Sequence, residues 1–424
     1  MIGETRLGKH VMTSDQLSTE SFKYHQCCPW LVLFRTFGLA VSLQLLIVSV
    51  AGVLVTTAGW RICGQILYGE NAISQDASED VFFETRRVME RWPGEKRHSF
   101  NQDLTQPENS LSETLSYRFM VLYDRGHPII GVWQEMTGPF LEIIKGKLRL
   151  KQLIYFGMTG LWGLLAWSFF GAVITRAAAL QFTVHQRATS GQLFRHARSK
   201  LGAYMAAPLL PLLVIFVIKI CSDLFLGLAV RWEYTVWWTG LLWPFGLIAG
   251  FILMLMFVGL SVGWPLMWAT ISTEGTDSFD AISRSYGYCY QRPLHYLAYA
   301  LLAVVIGLLG WLFVSFFTEG VIWANRWAMS WGAGGQDWPL VSGDRGNVFR
   351  AAVWLAQFWD AMVRTLAVGF RWSFFWVSAA GIYLLLRRDV DQTEMDEVYL
   401  EEEEDLYGLP DLTTDEAGVA GVEN

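Results

Sequence analysis

Long stretches of the chain carry no charge. No Asp, Glu, Lys or Arg falls between Leu153 and Ile174, and none between Thr235 and Ser272. A hydrocarbon core about 30 Å thick is crossed by about 20 apolar helical residues, and both runs reach that length. Lipid offers no partner for backbone polar groups, so such runs predict membrane-spanning helices. The first apolar run, residues 36–60, lies between Arg35 and Arg61 and ends on a Trp suited to the interface. It is longer than a signal-peptide core and begins after a polar leader, which predicts a retained anchor. Further spans are expected at 153–174, 205–230, 236–260, 293–317 and 366–386. The uncharged run from Thr235 exceeds one simple crossing. Pro265 is expected to divide it and leave 263–268 as an interfacial or re-entrant piece. The expected fold class is therefore all-α: a polytopic helical membrane protein with about six transmembrane helices and interfacial amphipathic helices.

The polar segments complete the layout. Residues 1–35 form an N-terminal segment, 61–152 a loop with amphipathic helices, 153–388 a bundle of about five spans, and 389–424 a tail. Within the loop, Val81, Phe82, Val88, Met89 and Trp92 recur at helical spacing before Pro93-Gly94 stops them. Residues 128–144 are semi-apolar but interrupted by Glu135 and Glu142, so an interfacial helix is expected there, not a span. Small-residue strips at Gly157/Gly160/Gly163, Gly246/Gly250 and Gly259/Gly263 predict close helix approach. Residues 351–366 read as an amphipathic helix bearing Asp360 and Arg364 four apart, with Arg371 further on.

Charge is unevenly distributed. The net charge is −7, yet fourteen acidic residues and no Lys or Arg follow Arg388, so residues 1–388 sum to −7 + 14 = +7. The run Glu401 to Asp405 predicts a solvated, disordered tail that could dock a basic protein partner. Such a tail repels phosphates, and no basic, aromatic-interleaved surface stands out, so nucleic acid is excluded as a partner. Placing the N-terminus, 175–204, 271–292 and the tail in the cytoplasm puts thirteen Lys/Arg on the cytoplasmic side of a cell membrane. Lys145, Lys147, Arg149 and Lys151 would then lie outside, against the trend.

Catalytic signals are sparse. The five cysteines form no Cys-x-x-Cys pair, and the seven histidines show no metal-ligand spacing. The adjacent Cys27-Cys28 pair reads as two interfacial thiols. No nucleophile elbow or phosphate-binding loop is present. No enzyme activity, metal or cofactor is expected. Lys219 and Asp223, four apart within the 205–230 span, would share a helix face and neutralise each other. They serve either as a relay or substrate contact or as a structural pair near the membrane boundary.

The most distinctive block is the connector at 271–292. It reads Glu274-Gly275, then Asp277, Phe279-Asp280-Ala281, Ser283-Arg284-Ser285 and Arg292-Pro293. Phe279, Ile282, Tyr286 and Cys289/Tyr290 fall on one helical stripe, Asp280 and Arg284 form an i,i+4 pair, and residues 276–278 offer N-cap chemistry. The stripe predicts a helix lying flat on the membrane, apolar face inward, with Glu274, Asp277, Asp280, Arg284 and Arg292 open to headgroups or a partner. Here the chain resembles a group of uncharacterised polytopic bacterial membrane proteins. More loosely, it is similar to the membrane domain attached to some glycerophosphodiester phosphodiesterases. The resemblance implies a helical membrane domain without a catalytic residue, and no phosphodiesterase domain is recognisable. The expected role is a non-enzymatic scaffold or accessory protein in contact with membrane lipid. Its protein partner would be held by the tail or the connector. The alternative is a transporter for a small solute or lipid.

Overall fold

A computed structural model describes residues 29–69, 86, 89–90, 127–146, 148–184, 188–230, 236–332 and 346–399, together with a two-residue pairing of Thr413–Thr414 and Ala420–Gly421. The helices are α1 (Val32–Ala40), α2 (Leu43–Tyr68), α3 (Ile130–Lys145), α4 (Leu150–Thr183) and α5 (Ser190–Ser199). They continue as α6 (Leu201–Val230), α7 (Val236–Glu274), α8 (Ser278–Gln291), α9 (Pro293–Gly332) and α10 (Gly346–Asp391). Six of them, α2, α4, α6, α7, α9 and α10, contain stretches long and apolar enough to cross a membrane. The fold is a polytopic helical membrane bundle. Apart from Arg86, Met89 and Glu90, the amphipathic stretch expected at 81–92 lies outside the described residues.

Burial sorts the spans. In α10, 94% of the most apolar stretch is buried, against 6% in α7. The bundle is thus organised around α10, which packs on α1, α2, α4, α7 and α9, while the helices of the α6–α7 and α9–α10 hairpins pair with each other. Large apolar side chains on α7, such as Trp237, Phe245 and Phe251, face outward. Lipid imposes no penalty on that exposure, so a large apolar side chain need not be buried in the bundle. The centre is a stack of indoles. Trp167 lies on Trp372 at 3.9 Å and Trp268 on Trp376 at 4.4 Å, with Trp264 edge-on to Trp376.

Two expectations need correction. The first span begins with a break, because α1 ends at Ala40 and α2 starts at Leu43. Pro265 does not divide the 235–272 run; α7 is one helix of 39 residues that keeps both Pro244 and Pro265 inside it. Proline removes the hydrogen bond to the carbonyl four residues back, and here a neighbouring indole replaces it. The Trp133 Nε1–H donates to Ser261 O at 2.8 Å, the carbonyl that Pro265 leaves free. The same device recurs in α6, where Trp268 Nε1–H donates at 2.8 Å to Tyr204 O, four residues before Pro208. The helix expected at 128–144 is α3, which packs along α4 and reaches α7 and α10 through Trp133 and Glu135. Burying Val132 and Met136 against α4 fixes it there.

The connector helix α8 also differs from the flat, stripe-inward arrangement. It folds back along α7, with Tyr286 and Tyr290 donating to Met256 O and Leu255 O. Its buried face is Ala281, Ser285, Tyr288 and Cys289, whereas Phe279 is 70% exposed. The smaller residues permit the approach to α7. A Cβ at Gly259 would overlap the Tyr286 ring, so only glycine admits that contact.

Candidate functional site: a tail clamp and charges inside the bundle

Helix α7 ends at Glu274, and Gly275 follows at φ +65°, a left-handed turn that glycine adopts without strain. This turn aims the Glu274 carboxylate at three donors. Arg284 Nη1 lies 2.6 Å from Oε2, the Tyr383 hydroxyl donates to Oε1 at 2.5 Å, and Arg387 Nε is 3.5 Å from Oε1. Arg284 Nε also meets both oxygens of Asp280, at 3.2 and 3.1 Å. Burial works against the Arg284 charge, but Glu274 and Asp280 outweigh it and hold its pKa above the ordinary guanidinium value. Asp277 is the N-cap of α8 and accepts the Asp280 N–H at 2.9 Å.

The start of the C-terminal tail closes over this cluster. Arg387 donates to Glu397 O at 2.7 Å, and the Tyr399 N–H donates to Thr273 O at 2.8 Å. Arg176, buried at the end of α4, binds Ser272 O and Tyr399 O, each at 2.7 Å. Lys200 donates to Gly275 O at 2.6 Å. The Tyr288 hydroxyl bonds to Asp391 and the Tyr299 hydroxyl to Asp389. Burial and the Asp391 acceptor raise the Tyr288 pKa, and burial pushes the Cys289 thiol up to about 12. Beneath the clamp runs a buried polar chain. His196 Nε2 is 3.2 Å from the Tyr204 hydroxyl, which is 2.7 Å from Ser272 Oγ, itself 2.5 Å from Thr175 Oγ1. The expected tail at 389–424 is thus not wholly free: residues 389–399 are docked, and the acidic run at 401–405 lies outside the described residues.

Of the connector residues, the fold brings Glu274, Asp280 and Arg284 together and uses Asp277 as a cap. Arg292 stands apart, exposed, with no side-chain partner among the described residues. Glu274, expected to be open to a partner, is largely enclosed.

Two charge clusters lie inside the packing. Arg371 Nη2 meets Glu135 Oε1 at 2.8 Å, and its guanidinium sits 5.7 Å from the centre of the Trp311 ring. Beside them His127 Nδ1 accepts the N–H groups of Ile129 and Ile130 at 3.1 and 3.3 Å, so Nε2 carries the proton and donates to Val304 O at 3.0 Å. Burial lowers the His127 pKa, the Val304 carbonyl opposes that, and Arg371 adds to the lowering. At the far ends of α2 and α4, Arg86 Nε is 2.6 Å from Glu90 Oε1, which also accepts the Tyr155 hydroxyl at 3.1 Å. In the sequence Glu135 interrupts a semi-apolar run and Arg371 follows an amphipathic helix, and neither points to the other. The available signal was one acid in a semi-apolar run and one base in another.

Lys219 and Asp223 do pair, at 2.5 Å on one face of α6, but they are 41% and 66% exposed on the outside of the bundle. Asp360 and Arg364 do not pair with each other; Asp360 binds Arg326 and Arg364 binds Glu319, both across the α9–α10 hairpin. No protein-family model, curated protein or solved structure matches the chain.

Proposed function

We propose that this protein is a non-enzymatic scaffold or accessory component of the cell membrane, presenting its acidic tail from a fixed point. The observation that carries this reading is the double anchoring of Tyr399, whose N–H and carbonyl bind Thr273 and Arg176. That anchor sets the root of the tail two residues before an acidic run long enough to attract a basic protein surface. The Lys/Arg distribution supports placing both termini and the clamp in the cytoplasm. The likeness of the connector to polytopic bacterial membrane proteins fits a membrane domain without a catalytic residue. Affinity capture with the full chain and with a version ending at Tyr399 tests the proposal. Partners lost on truncation support it; identical partners in both captures remove the tail from the account.

A second reading, a transporter for a small solute or lipid, draws support from Glu135–Arg371. An ionisable residue within a span, here Arg371 of α10, commonly marks a transport pathway. Proton uptake into proteoliposomes, driven by a potassium diffusion potential and read by an entrapped pH dye, tests it. Uptake abolished by Glu135→Gln supports transport, whereas no uptake above protein-free vesicles excludes a proton-coupled path. Lys219 and Asp223, which face outward, are not assigned a role in it.

A further inference from the structure

Between α3 and the α6–α7 hairpin, with α4 as its floor, lies a half-enclosed groove with about 80 Å³ of internal space. Its walls are apolar: Phe140, Leu141 and Ile144 from α3 face Leu209 and Leu212 from α6 and Leu260 from α7. Trp133 and Trp264 belong to the same lining. The hydroxyl of Thr137 donates to Trp133 O, and Ser261 O already receives the Trp133 indole, so the groove offers polar ligands little.

Its length and its rim define what fits. From Trp133 to Ile144 the lining spans eleven helical steps, about 16 Å. Half of a hydrocarbon core about 30 Å thick is about 15 Å, the depth one leaflet's acyl chain occupies. Immediately beyond Ile144 comes Lys145, then Arg149 and Lys151 at the start of α4, all exposed. Glu142 neutralises Lys145 at 2.5 Å, while Arg149 and Lys151 have no side-chain partner among the described residues. These cations run against the charge bias that orients the rest of the chain, so topology does not account for them.

We propose that the groove binds an anionic phospholipid, one acyl chain lying along α3 and the headgroup phosphate held by Arg149 and Lys151. Apolar burial supplies retention, and the cations supply headgroup choice.

The test uses the full chain in a nonionic detergent, incubated with dioleoyl phosphatidylglycerol or dioleoyl phosphatidylcholine, with bound lipid counted by native mass spectrometry. One phosphatidylglycerol per chain is expected, retained at tenfold lower lipid concentration than phosphatidylcholine. Arg149→Gln plus Lys151→Gln, both on the surface, should erase that preference while leaving lipid bound. Leu141→Trp should reduce retention of both lipids at least tenfold; Leu212→Trp fills the groove from the opposite wall and replaces it if Leu141→Trp does not assemble. Inorganic phosphate at millimolar concentration should displace neither lipid. Equal retention of the two lipids by the unaltered chain, a preference that survives the double substitution, or displacement by phosphate alone would overturn the proposal.

Discussion

The indole that stands in for a missing backbone donor gives a sharp test of how α7 tolerates Pro265. Trp133→Phe keeps an aromatic ring on α3 but removes the donor that lies 2.8 Å from Ser261 O. An intramolecular hydrogen bond is worth about 1 kcal/mol net, and a carbonyl left unpaired in an apolar setting adds about 1–3 kcal/mol. Interhelical hydrogen bonds in membranes average nearer 0.6 kcal/mol. Allowing for lost indole packing, Trp133→Phe should destabilise the protein by about 2 kcal/mol. In a Pro265→Ala background, the new Ala N–H bonds Ser261 O within the helix. Trp133→Phe then removes only packing, and its cost should fall to about 1 kcal/mol. The double-mutant cycle is read by equilibrium unfolding in mixed micelles of dodecyl sulfate and a nonionic detergent. Independent sites add within about 0.3–0.5 kcal/mol. A Trp133→Phe penalty that agrees within that margin in both backgrounds would refute the reasoning. The parallel cycle of Trp268→Phe with Pro208→Ala should behave alike, since Tyr204 O is held in the same way.

Gly275→Ala should cost about 1–2 kcal/mol for the left-handed backbone, and its Cβ would lie 2.5 Å from the Tyr399 ring. Faster proteolysis near Tyr399 is the readout, and unchanged protection would contradict the clamp. His127 should make the protein less stable in mild acid. Its folded pKa lies below the ordinary 6.5, so its contribution is present above pH 6.5 and is lost as pH falls below that towards the folded value. The melting temperature of the unaltered protein should therefore drop more between pH 7 and pH 5 than that of His127→Gln; equal slopes would refute the assignment. Cys289, with its thiol pKa near 12, is almost wholly protonated at pH 8. Peptide mapping after iodoacetamide treatment should find it unmodified in the folded protein and alkylated after denaturation. Arg387→Ala removes a partner of both Glu274 and Glu397 and should loosen the tail without dissolving the bundle, seen as faster hydrogen exchange at residues 392–399.

Much of the architecture was readable from residue order because apolar runs without charge have one stable outcome in lipid. The six spans follow from that rule. The Asp280–Arg284 pair and the N-cap at Asp277 were also legible, being local events within one turn. The face of α8 was not. Phe279 and Tyr290 fall on the stripe expected to face inward, yet they are exposed, because Gly259 admits the Tyr286 ring and the Ala281–Ser285 face turns to the bundle. The partners of Arg371 and Asp360 were equally hidden, since each lies on a helix distant in sequence.

Residue order alone determined the solvent, the all-helical class and the separation of a basic body from an acidic end, since hydrophobicity and charge act at every position whatever the neighbours. Tertiary structure decided which charges meet, which prolines are tolerated and where the tail is tied. Glu135 finds Arg371 at a separation of 236 residues, and Arg176 finds Tyr399 at 223. Such encounters depend on helix crossing and rotation, which packing of small residues sets and hydropathy leaves undetermined.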